Sequence, residues 1–126
     1  MVNIMIKHAF IKCSQTMNGD YKMGLTKQYG QLLNVDLGSS DCCVSTFPET
    51  AKEFLGGRGF NIWYLYHNLV SGTHPMAPEN ILLMSCGLLT GSSAPTSSRL
   101  HLNALSPLTG ILGSSNIGGY AGAWLR

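Results

Sequence analysis

The sequence has few charged residues and no long apolar run. Only 11% of its 126 residues are Asp, Glu, Lys or Arg, against roughly 25% in typical soluble domains, so much of the surface is expected to be covered by protein. Eight Lys and Arg residues without a basic stripe, and a net charge of +2, argue against nucleic acid as a partner. Gly, Ser and Pro interrupt each apolar run before the ~20 residues of a membrane span, which predicts a cytoplasmic protein without a membrane segment.

Spacings typical of metal ligands are also missing. The four cysteines, Cys13, Cys42, Cys43 and Cys86, form no Cys-x-x-Cys pair, and the histidines show no His-x-x-x-His spacing. Cys42 and Cys43 are adjacent, so on a strand they point to opposite faces. A metal site made from the side chains of this chain alone is therefore not expected. Buried or idle thiols in a reducing compartment are the favoured interpretation.

Acidic residues are absent from Ile81–Leu125, where Arg99 is the only formally charged residue. A guanidinium does not lose its proton, so removing it from water without an acceptor is costly. The candidate partners are a carboxylate from the earlier chain, backbone carbonyls, or an exogenous anion such as a phosphate, which glycine-rich turns allow backbone N–H groups to approach. An Arg99 that points from a loop into solvent is an equally weighted alternative.

Apolar periodicity predicts strands connected by short helices. Leu33, Val35 and Leu37 alternate with polar residues, which predicts a strand over Gln31–Leu37 that pairs with Cys42–Thr46 across a turn. The other elements predicted are a short helix at Glu49–Leu55, a largely buried helix at Phe60–Val70, strands at Ile81–Ser85, Arg99–Leu105 and Ile111–Leu112, and the start of a helix at Tyr120–Arg126. Because that last helix stops after fewer than two turns without a cap, the sequence is expected to be incomplete at its C-terminal end.

The first residues are predicted to lie outside the domain. Lys7 and Lys12 fall inside the apolar opening stretch, which is unlike the arrangement of a signal peptide. Residues 1–22 are therefore expected to be an extra, disordered leader, and residues 23–126 to be the partial domain.

Several short motifs follow one another along the chain. They are Val35-Asp36-Leu37, Gly56-Gly57-Arg58-Gly59, Pro78-Glu79-Asn80, Gly87-Leu88-Leu89-Thr90-Gly91, Ser93-Ala94-Pro95-Thr96, Arg99, Ser106-Pro107-Leu108-Thr109-Gly110, and Asn116 with Gly118-Gly119-Tyr120. In this order they resemble the N-terminal domain of the tungsten-containing aldehyde:ferredoxin oxidoreductase family. The resemblance extends from about Gly24 to Arg126.

The resemblance implies an α+β fold: a β-rich N-terminal domain of antiparallel sheets with short helices, forming a two-sheet base on which a tungsten bis-pterin cofactor of the molybdopterin type rests. The family's arginine after the Ala-Pro-Thr loop corresponds to Arg99, a contact to a pterin phosphate. Asn116 corresponds to the asparagine whose backbone carbonyl binds the magnesium bridging the two pterin phosphates, and Gly118 offers backbone to the same cofactor. The family often has glycines before this arginine, where this chain has Ser97-Ser98.

The function that the resemblance implies is oxidation of an aldehyde to the carboxylic acid, with ferredoxin as electron acceptor. The family's [4Fe-4S] cluster ligands have no counterpart in this chain and no catalytic residue is assigned, so these 126 residues alone are expected to be inactive. The alternative is a non-catalytic truncated or degenerate fragment, or a small subunit that docks on a complementing chain or forms a homodimer. A nucleotide-phosphate binder is a weaker third interpretation, because the sequence has no Walker-type Gly-Lys-Ser/Thr.

Overall fold

Our computed structural model describes residues 2–7, 31–46 and 53–125. Within these ranges the elements are β1 (Val2–Lys7), β2 (Gln31–Asp36), β3 (Asp41–Thr46), α1 (Gly57–Asn68), β4 (Leu82–Cys86), β5 (Leu100–Leu105), β6 (Leu112–Ile117) and α2 (Ala121–Leu125). The strands form one sheet in the order β3-β2-β1-β4-β5-β6. Each neighbouring pair is antiparallel except β1 and β2, which are parallel. The predicted α+β class, with antiparallel pairing and short helices, is confirmed, but the described strands form one sheet rather than the two sheets expected from the resemblance.

The predicted hairpin over β2 and β3 is confirmed, but its core residue differs from the prediction. The Asp36 carboxylate accepts hydrogen bonds from the backbone N–H groups of Gly38 and Ser39 at 2.8 and 3.3 Å, which fixes the turn. Leu32 is the β2 side chain in the main core, whereas Leu33 and Val35 on the predicted buried face are only half-buried. The reason is that α1 packs on the face that carries Leu32.

The beginning of the predicted disordered leader is a strand. β1 lies between β2 and β4 and pairs with both, so the prediction is wrong for Val2–Lys7. The sequence pattern explains it, because Val2, Ile4 and Ile6 alternate with other residues and Lys7 comes only at the strand end. The rest of the predicted leader, residues 8–22, lies outside the described residues.

The predicted buried helix is confirmed as α1, which starts three residues before the predicted position, at Gly57 rather than Phe60. The polypeptide enters it through three successive residues with positive φ, Leu55, Gly56 and Gly57. At its end, the backbone N–H of Leu69 donates to the Leu65 carbonyl at 2.9 Å, and the chain becomes extended. Of the predicted helix at Glu49–Leu55, the described part is a short 3₁₀ turn at residues 53–54; its first residues lie outside the described ranges.

The core lies between α1 and the middle of the sheet. Its buried members are Leu32, Phe60, Tyr64, Leu65, Ile81 and Leu83, with Trp63 and Leu69 packed against them. The connection that leads into β4 is fastened to β5 by Asn80, whose side-chain amide donates to the carbonyls of Pro75 and Leu105 and accepts from the Leu105 N–H. The buried core side chains hold one face of the sheet against α1.

The C-terminal strands follow the predictions with one extension. β4 and β5 begin within one residue of the predicted strands. β6 is longer than the predicted Ile111–Leu112 and pairs with β5 along its whole length. The polar residues of β6 do not have the apolar alternation of a buried strand, because β6 is the edge strand of the sheet and most of its residues are exposed.

Candidate functional site

The three residues predicted to bind the cofactor meet at one end of the β5–β6 pair. His101 lies opposite Asn116, and Leu100 lies opposite Ile117. Continuing this register by one residue places Gly118 across from Arg99. Cross-strand neighbours lie about 5 Å apart, so residues that are distant in the sequence share one local surface. We refer to this surface, formed by Arg99, His101, Asn116 and Gly118, as the β5–β6 end.

Arg99 is exposed, and within the described residues it has no ion-pair partner. Its backbone is nevertheless fixed, because the buried Thr90 hydroxyl donates to the Arg99 carbonyl at 3.3 Å. The preceding loop is closed by its own hydrogen bonds, among them Gly91 N–H to the Ser97 carbonyl at 3.2 Å. The sequence left a carboxylate from the earlier chain as one candidate partner of the Arg99 guanidinium. In the described part of the protein, no such carboxylate pairs with Arg99.

Asn116 and Gly118 are both exposed. A Cβ atom added at Gly118 would meet no other atom within 4 Å, so the described protein leaves open space beside this backbone. Gly122 differs, since its Cβ would lie 2.8 Å from the Ser98 carbonyl oxygen and 3.3 Å from the Arg99 carbonyl carbon. The start of α2 thus packs directly on the backbone that carries Arg99.

The beginning of α1 contacts the same end of the sheet from one face. Gly56 forms an isolated antiparallel bridge with Gly87, and the buried Ser85 hydroxyl donates to the Gly57 carbonyl at 2.7 Å. A Cβ atom at Gly57 would lie 3.3 Å from Cδ2 of His101. Because Gly57 also has φ +59°, a glycine is required there for both backbone conformation and close approach.

Arg58 is brought to this surface by Gly57 and is exposed. Sequence reasoning missed it, because the glycine cluster Gly56–Gly59 between two helices is only a weak phosphate signal. A clue was available in the sequence: Arg58 stands inside one of the family motifs, as Arg99 does.

His101 lies where the two arginines influence its protonation. Its pKa is lowered, first by desolvation and then by the positive charges of Arg58 and Arg99. Its Nδ1 is buried and has no hydrogen-bond partner within the described protein. A lowered pKa keeps the imidazole neutral at pH 7, so the positive potential here comes from the two guanidinium groups.

A buried amide pair holds α1 on β5. The Asn61 side chain donates to Asn103 Oδ1 at 2.9 Å and to the His101 carbonyl at 3.3 Å, and Asn103 donates to the Gly113 carbonyl at 3.1 Å. Asn61 and Asn103 are almost fully buried, so these bonds form in a region of low dielectric where they are strong. They fix the helix start relative to β5 and β6, and therefore Arg58 relative to Arg99 and Asn116.

The cysteines and histidines form no metal centre in the described ranges. No group of three or more His, Cys, Asp or Glu residues there could hold a metal ion. Cys42 is an exposed thiol, and the Cys86 thiol donates to the Gly122 carbonyl at 3.2 Å. Cys43 is disulfide-bonded, so the interpretation of the cysteines as buried or idle thiols is wrong for this residue. Within the same ranges, each helix is too short or too polar to cross a membrane.

The described chain is a sheet-dominated α+β domain with two exposed arginines and glycine turns near one end of β5 and β6, and comparison with known proteins gives its family. Residues 32–126 match the family model described as aldehyde ferredoxin oxidoreductase, N-terminal domain. The chain belongs to the aldehyde ferredoxin oxidoreductase family. The resemblance deduced from the sequence motifs is confirmed.

Relatives in this family are much longer than the chain. It is 42% identical over 99 residues to a tungsten-containing aldehyde ferredoxin oxidoreductase of Pyrococcus horikoshii and 40% identical over 99 residues to one of Pyrococcus furiosus. Each alignment covers 78% of this chain and 16% of the relative. The chain thus spans about a sixth of the length of these proteins.

A solved structure shares the fold. The active-site complex BamBC of benzoyl coenzyme A reductase, determined with 1,5-dienoyl-CoA, has a TM-score of 0.70 and 31% sequence identity to this chain. The similarity covers 75% of this chain and 14% of that one.

Proposed function

We propose that this chain is the N-terminal cofactor-binding part of a tungstopterin oxidoreductase that oxidises aldehydes to carboxylic acids, with ferredoxin as electron acceptor. Support comes from the family and from relatives that are tungsten-containing aldehyde ferredoxin oxidoreductases. The observation that carries the proposal is the meeting of Arg99, Asn116 and Gly118 at the β5–β6 end. These are the residues to which the family resemblance assigns cofactor contacts.

The family resemblance assigns the role of each of these residues, and the chemistry of each residue suits that role. The Arg99 guanidinium donates to a pterin phosphate, since its planar fork matches phosphate oxygens. Asn116 would offer its backbone carbonyl to a magnesium ion bound with the cofactor, and Gly118 would let the pterin approach its backbone. The tungsten bis-pterin, when bound, supplies the redox chemistry.

The described residues fit such a group. Arg99 is exposed without an ion pair in the described chain, and a Cβ at Gly118 would meet nothing within 4 Å. An anion placed here would therefore displace no protein contact of the arginine. Ferredoxin, the aldehyde and a [4Fe-4S] cluster belong to the proposed whole enzyme, of whose relatives this chain covers 16%, and a cytoplasmic location remains part of the proposal.

A second candidate is a non-catalytic fragment or small subunit that docks on another chain. The observation in its favour is exposed apolar surface beyond β5, with Leu108 93%, Trp124 85% and Tyr120 77% exposed. Surface of this kind is typical of contacts with another protein segment. The partner is a complementing chain or a second copy of this one.

The test is the cofactor content of the purified 126-residue chain, produced in cells supplied with tungstate. Tungsten or molybdenum, with magnesium and pterin, is measured for the wild type, Arg99→Met and Glu79→Gln, the last an exposed charge near the opposite end of β5. We expect about tenfold lower occupancy in Arg99→Met, because a charge-assisted hydrogen bond is lost, and an unfolding free energy within about 0.5 kcal/mol of wild type.

Glu79→Gln should retain wild-type occupancy. Equal metal and pterin content in Arg99→Met and the wild type would refute the assigned role. A wild-type chain that is soluble only with a partner and carries neither metal nor pterin would favour the non-catalytic candidate.

A further inference from the structure

Arg58 occupies an electrostatically unfavourable position. It is the second residue of α1, where the positive end of the helix dipole disfavours a cation. The first turn contains no acidic residue, and Gly56 provides no side-chain cap. Arg58 has no ion pair within the described residues, so nothing there offsets its charge.

A second guanidinium lies nearby. Gly57 approaches the His101 ring so closely that a Cβ atom at Gly57 would lie 3.3 Å from the ring's Cδ2, and Arg99 is two residues before His101. Arg99 directly precedes β5, so both arginines start from backbone at the same end of the sheet. Two cations are therefore attached to backbone near His101, and Asn116, which lies opposite His101, is neutral.

The backbone around Arg58 is fixed. A Cβ at Gly59 would lie 3.0 Å from the Phe54 carbonyl oxygen, and Gly57 is held by its hydrogen bond from Ser85. Arg58 is therefore a long exposed side chain on a rigid support between two closely packed glycines. Local rules of sequence and structure are most often broken at functional sites, and a cation in a helix first turn beside another cation is such a case.

We propose that Arg58 and Arg99 together form a two-arginine site for a phosphate-bearing ligand, with Arg58 as a second guanidinium ligand of the anion. An anion between them offsets their mutual repulsion and the unfavourable helix-dipole energy of Arg58. The identity of the ligand as a pterin phosphate rests on the proposed function, whereas the anion site itself rests on the placement of the two arginines.

The test is calorimetric titration of the full chain with inorganic pyrophosphate at low ionic strength, where exposed charges are least screened. The variants are Arg58→Met, Arg58→Lys, Arg99→Met and the double variant, with Glu79→Gln as the control. We expect about tenfold weaker binding for each Arg→Met change. Arg58→Lys should lie between wild type and Arg58→Met, because it keeps the charge but not the planar fork.

Thermal unfolding of each variant shows whether it is folded, and Arg58→Gln replaces Arg58→Met if the latter is not. Pyrophosphate affinity that is unchanged in the Arg58 variants, or no pyrophosphate binding by the wild type, overturns the two-arginine site. If pyrophosphate affinity falls in Arg99→Met but not in the Arg58 variants, the two-arginine site is overturned and the proposed function is unaffected. Pyrophosphate binding that needs both arginines, in a chain that acquires no pterin or metal, supports the anion site and counts against the proposed function.

Discussion

The two helices differ in how firmly they hold their side of the site. α1 spans 12 residues and buries Phe60, Asn61, Tyr64 and Leu65 against the sheet, whereas the five residues of α2 bury only Gly122. α1 is tied to β5 through the Asn61–Asn103 pair, while α2 leaves the Trp124 indole mostly in solvent. Core packing thus fixes the backbone on the Arg58 side of the candidate site. On the side of Gly118 and α2, few buried contacts hold the backbone.

This difference separates stability from binding at one end of the sheet. Substitutions under α1 act on the whole fold, because they remove buried apolar contacts. Substitutions near α2 act locally, since few side chains there are buried. A cofactor at the β5–β6 end would lie between the two regions, with Arg58 in the part held by α1 and Gly118 in the part near α2, where few side chains are buried.

The largest effect is expected from Phe60→Ala. Phe60 is fully buried and packs against Trp63 and Tyr64, with ring centroids 6.3 and 5.7 Å apart, so its removal leaves a cavity beneath α1. We expect a loss of about 3–5 kcal/mol in unfolding free energy, measured by urea denaturation. Tyr66→Ala, an exposed residue of the same helix, is the control and should change stability by less than about 0.5 kcal/mol. Similar losses in both variants would show that α1 does not supply the core.

A smaller effect is expected from Gly122→Ala. The new methyl group would lie 2.8 Å from the Ser98 carbonyl oxygen, so either α2 or the backbone of Arg99 must move, at a cost of about 1–3 kcal/mol. Amide hydrogen exchange should show less protection at Leu100, next to the displaced backbone. Gly118→Ala is the matched control, because its added Cβ meets nothing within 4 Å.

Equal stability and equal exchange in the two glycine variants would contradict this contrast. It would mean that α2 does not pack on the Arg99 backbone, and that Gly122, like Gly118, has space beside it for a side chain.

Periodicity and turn chemistry were sufficient for most of the secondary structure. The alternation in Gln31–Leu37 predicted β2, and the apolar wheel of Phe60–Val70 predicted α1. Motif order predicted the family. The pairing of β5 with β6 then explains why Arg99, Asn116 and Gly118 belong together, although their roles in binding remain predictions.

What the sequence did not reveal depends on long-range contacts. Val2–Lys7 has too short a pattern to predict that it would enter the middle of a sheet, because its pairing partners lie at Gln31–Asp36 and Leu82–Met84. Arg58 acquires its significance only from the approach of Gly57 to His101. Both features are set by tertiary packing, which single-sequence periodicity does not encode.

The smallest effect concerns His101 and pH. Burial, then the charges of Arg58 and Arg99, lower its folded-state pKa below the ordinary 6.5, so the unfolded chain binds the proton more readily. The stability that neutral His101 contributes is present above pH 6.5 and is lost as pH falls toward the lowered pKa. Urea denaturation from pH 7.5 down to about pH 5 should therefore show a steeper loss of stability in wild type than in His101→Gln. His74→Gln, near the opposite end of β5, is the control. Parallel pH profiles for wild type and His101→Gln would show that the pKa of His101 is not lowered in the folded protein.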